Sequence, residues 1–176
     1  MADDRDKHHT KAYERMLERV TEAMEQAEEK AKPRLREALE RARKRAVELG
    51  ELTSEEAERI ADYVRRDVED AAKYLSRNQE DMAGWFRMDM QLLENWLLDR
   101  FSLIADRTRV ELMELSETLE RAAHWHTGEI TGPGELRCES CGKVMRFEKA
   151  GHIPPCPKCS HTSFERITRE TQDTEE

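Results

Sequence analysis

This chain has no long apolar run. Nothing in its 176 residues approaches the roughly 18 to 20 consecutive apolar positions that a bilayer-crossing helix needs, which excludes a helical membrane span. Met1 to His9 likewise contain no apolar segment of the kind a signal peptide requires, so the protein is expected in the cytoplasm. Proline and glycine are scarce, at five and seven residues, and four of the five prolines lie beyond residue 130. That distribution predicts a long helical region followed by a small unit built of turns. A thick globular core is disfavoured too. Hydrophobic residues make up 37% and charged residues 39%, proportions that suit elongated helices with narrow apolar stripes. Cysteine is limited to four residues, all between positions 138 and 159. In a reducing cytoplasm, such closely paired cysteines favour a metal over a disulfide.

The net charge of −9 is unevenly placed. Residues 1–50 carry 13 Lys/Arg and 12 Asp/Glu, residues 51–130 carry 10 and 19, and residues 131–176 carry 7 and 8. The acidic middle would repel phosphates, which argues against nucleic-acid binding there, and its simplest reading is a set of solvated helix faces. Arg34 to Arg45 holds six Lys/Arg with Glu37 and Glu40. This stretch suits an acidic partner, including the chain's own acidic helices, better than a phosphate.

An apolar stripe runs through Tyr13, Leu17, Val20, Met24, Ala27, Ala31, Leu35, Ala38, Ala42, Ala46 and Leu49. Its steps average about 3.6 residues, the α-helical period. Pro33 lies off the stripe, which keeps its phase, so a kink is expected rather than a full break. Gly50 suits a left-handed helix end. Thr53 to Glu56 then has the pattern of a capping box opening a second helix, with Ile60, Val64, Val68, Ala71 and Leu75 on one face. That helix is expected to weaken between Asn78 and Gly84. Between Trp85 and Thr127 there is neither Gly nor Pro, which predicts a third long helix carrying Leu97, Phe101 and Ile104. Met82, Trp85, Phe86, Met88, Met90 and Trp96 are expected to form core rather than a cofactor pocket. Carboxylate pairs such as Glu55 with Glu56, or Asp89 with Glu94, have ordinary exposed chemistry and no catalytic pattern.

The fold expected is mainly α: a long antiparallel helical hairpin, or three-helix coiled bundle, followed by a small C-terminal β zinc ribbon. The divisions expected are a helical domain at 5–126, a Gly/Pro linker at 127–134, the ribbon at 135–168 and a disordered tail at 169–176. A middle helix shorter than its neighbours leaves part of one stripe uncovered, so self-association through the helices is expected.

The chemistry concentrates in two C-x-x-C pairs, Cys138 with Cys141 and Cys156 with Cys159. Two residues between ligands let a tight turn aim both sulfurs at one ion, and two such knuckles make the closed S₄ shell of structural zinc. Gly142 fits the position after the first knuckle, where a positive φ is common. Glu135 to Arg137, Lys143 to Ala150 and Ser163 to Ile167 supply strands. A ribbon this small buries too little to fold alone, so one zinc ion per chain should contribute most of its folding free energy. A thioredoxin-like redox pair would need a βαβ context that is missing. Iron in the same shell, as in rubredoxin, is chemically allowed, but the short spacer favours zinc. His124, His126, His152 and His161 are not needed as ligands, and His161 is the best placed for a contact just outside the metal shell.

Leu52 to Glu56, Val64 to Asp67, Thr127 to Leu136 and the two knuckles together resemble the YbeL-like family of bacterial zinc-ribbon proteins of unknown function. The likeness covers most of residues 10–168. It implies helices followed by a zinc ribbon, with the four cysteines as ligands, and it implies no activity. Ser160 departs from the pattern, which often has Gly there. No nucleophile–base arrangement is present, so no catalytic residues are expected. The leading functional expectation is a non-enzymatic binding or scaffold protein with an unidentified protein partner. The alternative is a nucleic-acid-associated regulator, with Phe147 and Phe164 stacking on bases beside the seven Lys/Arg between Glu135 and Arg169.

Overall fold

The computed structural model describes residues 2–26, 34–78, 82–87, 95–114 and 123–168. Helices α1 (Ala2–Gln26), α2 (Leu35–Glu48), α3 (Ser54–Asn78), α4 (Met82–Phe86) and α5 (Asn95–Glu114) precede six short strands. The strands are β1 (Trp125–His126), β2 (Ile130–Thr131), β3 (Gly134–Cys138), β4 (Val144–Phe147), β5 (Gly151–His152) and β6 (Ser163–Ile167). The mainly α architecture with a small C-terminal β ribbon is therefore the one observed.

The first stripe forms two helices, not one kinked helix. Arg34 is extended, at φ −67° and ψ 158°, and starts α2 afresh. α1 and α2 then pack against each other and both pack on α3. Tyr13, Leu17, Val20 and Met24 from α1 bury with Leu35, Ala38, Ala42 and Ala46 from α2. The chain folds back because this buries both halves of the stripe in one core, which a single rod would leave half uncovered. Ala27 and Ala31 lie outside the described residues.

α2 ends as its sequence predicts. Gly50, at φ +68°, donates its amide to the Val47 carbonyl, and the Glu51 amide reaches the Ala46 carbonyl. This left-handed exit satisfies carbonyls that the helix end leaves free. The capping box at the start of α3 is reciprocal. The Glu56 amide donates to Thr53 Oγ1 at 3.2 Å, and the Thr53 amide donates to Glu56 Oε2 at 2.9 Å.

α3 is the central element and packs against α1, α2, α4 and α5. The uninterrupted helix expected from Trp85 to Thr127 is not formed. Arg87 takes a positive φ of 54° and closes α4, while Trp125 sits in a strand. Met82, Trp85 and Phe86 are core, as expected, and Trp85, Phe86 and Phe101 form an aromatic cluster with ring centroids 5.0 to 6.1 Å apart. Met88, Met90, Asp89 and Glu94 lie outside the described residues, as do Leu115, Leu119 and the tail at 169–176.

Two sheets make the ribbon. One has the antiparallel order β1-β6-β3-β4, and the other pairs β2 with β5. The segment 127–134, expected as a linker, thus carries β2 and the turn into β3. Ile130 and Ala150 belong to the helical core rather than to the ribbon's own core of Trp125, Leu136, Ile153, Phe164 and the buried cysteines. Helices and ribbon are packed together through β2 and β5 on α1 and α3, and through β3 on α4.

Candidate metal centre and the interface that holds it

β3 delivers Cys138 and the turn after it delivers Cys141; the loop between β5 and β6 delivers Cys156 and Cys159. The two knuckles share one backbone pattern. The Gly142 amide donates to the Cys138 carbonyl at 3.0 Å, and the Ser160 amide donates to the Cys156 carbonyl at 2.8 Å. Gly142 and Ser160 occupy the same left-handed region, at φ 70° and 61°. Ser160 therefore pays the steric cost that glycine avoids at this position.

The four sulfurs all lie within 4.8 Å of one another. Cys138 Sγ is 3.6 Å from Cys159 Sγ, and Cys141 Sγ is 3.5 Å from Cys156 Sγ. Tetrahedral zinc, with bonds of about 2.3 Å, separates its sulfurs by about 3.8 Å, so the cluster fits one such ion. Thiols this close share protons unequally. The Lys143 amide lowers the Cys141 pKa, but burial and the neighbouring thiols push it up to about 12. Burial acts to raise Cys156 as well, yet the Cys159 and Lys158 amides and the neighbouring thiols bring it down to about 6. Four thiolates can coexist here only around a cation, which a bound dication would supply.

The histidines stand off this centre. His161 is exposed and contributes its backbone carbonyl, which accepts from the Cys156 amide at 2.9 Å. His124 pairs with Glu139 at 2.9 Å. His126 is exposed, and His152 faces the helices near Asp6 instead.

A second constellation, not anticipated from the sequence, joins the ribbon to the helices. Asp67 on α3 is fully buried. It accepts hydrogen bonds from Tyr13 Oη on α1 at 2.6 Å, Trp125 Nε1 on β1 at 2.9 Å and the Gly132 amide at 2.7 Å. Arg66 donates to Asp67, to Glu129 and to the Ile130 carbonyl. Arg166 on β6 is 5% exposed. It donates to the Pro133 carbonyl at 2.7 Å and to Thr131 Oγ1 at 2.9 Å, with its guanidinium 4.0 Å from the Trp85 ring centroid. Trp85 Nε1 in turn donates to Asp70.

Burial governs the electrostatics of this lock. It pushes the Tyr13 pKa well above its usual value, with Asp67 adding to the effect. Burial raises Asp70 and lowers Arg166, while Asp67 and Asp70 oppose the latter by holding the guanidinium's proton. Gly134 is required beside it: at φ +139°, an added Cβ would fall 1.8 Å from Arg166 Nη1. Sequence reasoning missed Asp67 and Arg166 because each looks like an ordinary surface charge on an amphipathic element. The available signal was the set of tryptophans, whose indole N–H groups need acceptors when buried.

A helical bundle carrying an antiparallel ribbon with two cysteine knuckles defines a zinc-ribbon protein suited to one structural zinc ion. The chain belongs to the family described as a zinc-ribbon containing domain, which it matches over residues 22–168, helices and ribbon together. It is similar to the uncharacterized protein YbeL of Escherichia coli K12, with 31% identity over 77 residues, or 44% of this chain and 48% of that protein. The YbeL proteins of Escherichia coli O6:H1 and O157:H7 match to the same extent. The match thus spans about half the length of these curated relatives. No solved structure matches the chain. Among the described residues, no helix is long and apolar enough to cross a membrane.

Proposed function

We propose that the protein is a non-enzymatic cytoplasmic binding protein. In this reading Cys138, Cys141, Cys156 and Cys159 hold a structural zinc ion, and helices and ribbon act as one rigid recognition body. The observation that carries it is the buried lock of Asp67, Arg66 and Arg166, which spans α1, α3, β1 and β6. Such a network fixes one relative placement of its parts, because leaving any buried member unpaired is costly. A rigid composite surface suits recognition of a protein partner. Of the carboxylate pair Glu55 and Glu56, Glu56 is engaged in the capping box and by His9, which leaves it no free role as an acid or base.

Self-association was expected from an uncovered helical stripe. Tyr13, Leu17, Val20, Met24, Leu35, Ala38, Ala42 and Ala46 of that stripe are buried within the chain, while Leu49 at the end of α2 is 49% exposed, so self-association there stays part of the proposal beside a different protein partner. The nucleic-acid alternative loses its main supports. Phe164 is fully buried, Phe147 packs on the ribbon core, and Arg166 is internal. Arg137 pairs with Glu165, and Arg146 with Glu135.

In-cell cross-linking of the full chain tests the proposal. It should recover a discrete protein partner that an Asp67→Asn variant loses. Metal-dependent turnover of a substrate by purified zinc-loaded protein would overturn the non-enzymatic reading, and a salt-sensitive complex with DNA would restore the alternative.

A further inference from the structure

A cleft of about 560 Å³ opens where the start of α1, the first turns of α3 and the β2–β5 strand pair meet. Its size lies within the range of small-molecule sites. Its floor is apolar: Ile60, Ile130 and Ile153 are 3%, 0% and 1% exposed, with Tyr63 and Pro154 as walls. Its rim is polar and has unsatisfied chemistry. His152 Nε2 is closed off from solvent yet makes no hydrogen bond, the nearest carboxylate oxygen being Asp6 Oδ1 at 3.7 Å. A buried ring nitrogen without a partner is uncommon and calls for one.

The charges around that nitrogen indicate the partner's sign. Arg5 and Arg59 line the rim, both exposed, and neither has a carboxylate partner among the described residues. Most other arginines near the ribbon are paired, Arg66, Arg137 and Arg146 among them. Of the two acids on the rim, Glu56 is already occupied. It accepts from the Thr53 amide and contacts His9 Nε2 at 3.2 Å, and these contacts hold it at about 2. Glu56 stays ionised in those contacts, so the rim carries two carboxylates and two guanidinia, and Arg5 and Arg59 are the cations left without a hydrogen-bonded carboxylate among the described residues. The His9 ring lies 6.1 Å from that of His152, and both imidazoles line the same cleft as Arg5, Arg59 and the three isoleucines.

From this arrangement we infer that the cleft between helices and ribbon binds a small organic anion. A carboxylate or phosphate head sits among Arg5, Arg59 and His152, and an apolar body rests on Ile60, Ile130 and Ile153. The site exists only while ribbon and helices are docked, so its occupant bridges the two parts. It is independent of the protein-partner reading above, and either can fail without the other.

The test uses the full zinc-loaded chain and three probes: phenyl phosphate, phenylacetate and inorganic phosphate. Saturable shifts of the His152 ring resonances by phenyl phosphate or phenylacetate are expected, whichever head group the site prefers. Inorganic phosphate, lacking a body, should bind about tenfold more weakly. A double Arg5→Ala, Arg59→Ala variant should weaken the organic probes at least about tenfold, the loss expected for charge-assisted hydrogen bonds. Both positions are exposed, and unchanged zinc content and tryptophan emission verify the variant's fold. No saturable His152 shift with any probe would overturn the inference, as would undiminished binding by the double variant.

Discussion

Asp67 accepts hydrogen bonds from α1, from β1 and from the turn that leads into β3. Replacing it with alanine strands the Tyr13, Trp125 and Gly132 donors in a buried interface and removes the carboxylate that Arg66 donates to and whose charge supports Arg166. Loss of one partner from a buried charged network costs about 3–5 kcal/mol, and Asp67→Ala should show a loss of that size in urea unfolding. Asp62→Ala, on the exposed face of the same helix, should cost less than about 1 kcal/mol. Gly134→Ala probes the same lock from the ribbon side. An added methyl would meet Arg166 in a backbone region that L residues avoid, so the variant should unfold at lower urea than wild type. Apart from the tryptophans' need for acceptors, the sequence carried no sign of this network. A charge at helical spacing carries no mark of burial, and Arg66 meets Glu129 and Ile130 across more than 60 positions of chain.

At the scale of single elements, local chemistry was readable wherever it is written in adjacent residues. Thr53 with Glu56, Gly50, and the two knuckles each specify a turn through side chains a few positions apart, and each turn is present. Thr53→Ala should cost about 1 kcal/mol, measured by chemical denaturation. The capping carboxylate also makes stability depend on acid. The Thr53 amide, and after it His9, hold Glu56 at about 2, below the usual carboxylate value of 4.5. Its contribution is complete above about pH 4.5 and is lost as pH falls towards 2. A Glu56→Gln variant should lose that segment of the pH–stability profile while keeping the rest. The helix limits were less legible. A stripe in constant phase is equally compatible with one long helix and with two folded against each other, and only tertiary burial decides between them. Likewise, the absence of Gly and Pro between Trp85 and Thr127 permits a helix but does not compel Trp125 to stay in it when a ribbon strand and Asp67 are available.

Across the whole molecule, the ribbon is more than an appendage. Its residues Ile130 on β2 and Ala150 just before β5 complete the helical core, and Arg166 is enclosed among Thr131, Pro133 and Trp85. The metal that folds the ribbon should thereby stabilise helices that do not touch it. The metal centre was legible because its ligands are paired in sequence; its coupling to the helices was not, because that coupling runs through residues scattered from Tyr13 to Arg166.

The most direct test of this account is thermal unfolding of the helices, followed by far-ultraviolet circular dichroism, in zinc-loaded and chelator-stripped protein. Helices and ribbon should melt together when zinc is bound, and stripping should lower the helical melting temperature and shift tryptophan emission to the red. A helical transition that is unchanged by zinc removal would contradict the account, leaving the ribbon a separate unit attached to an independent bundle.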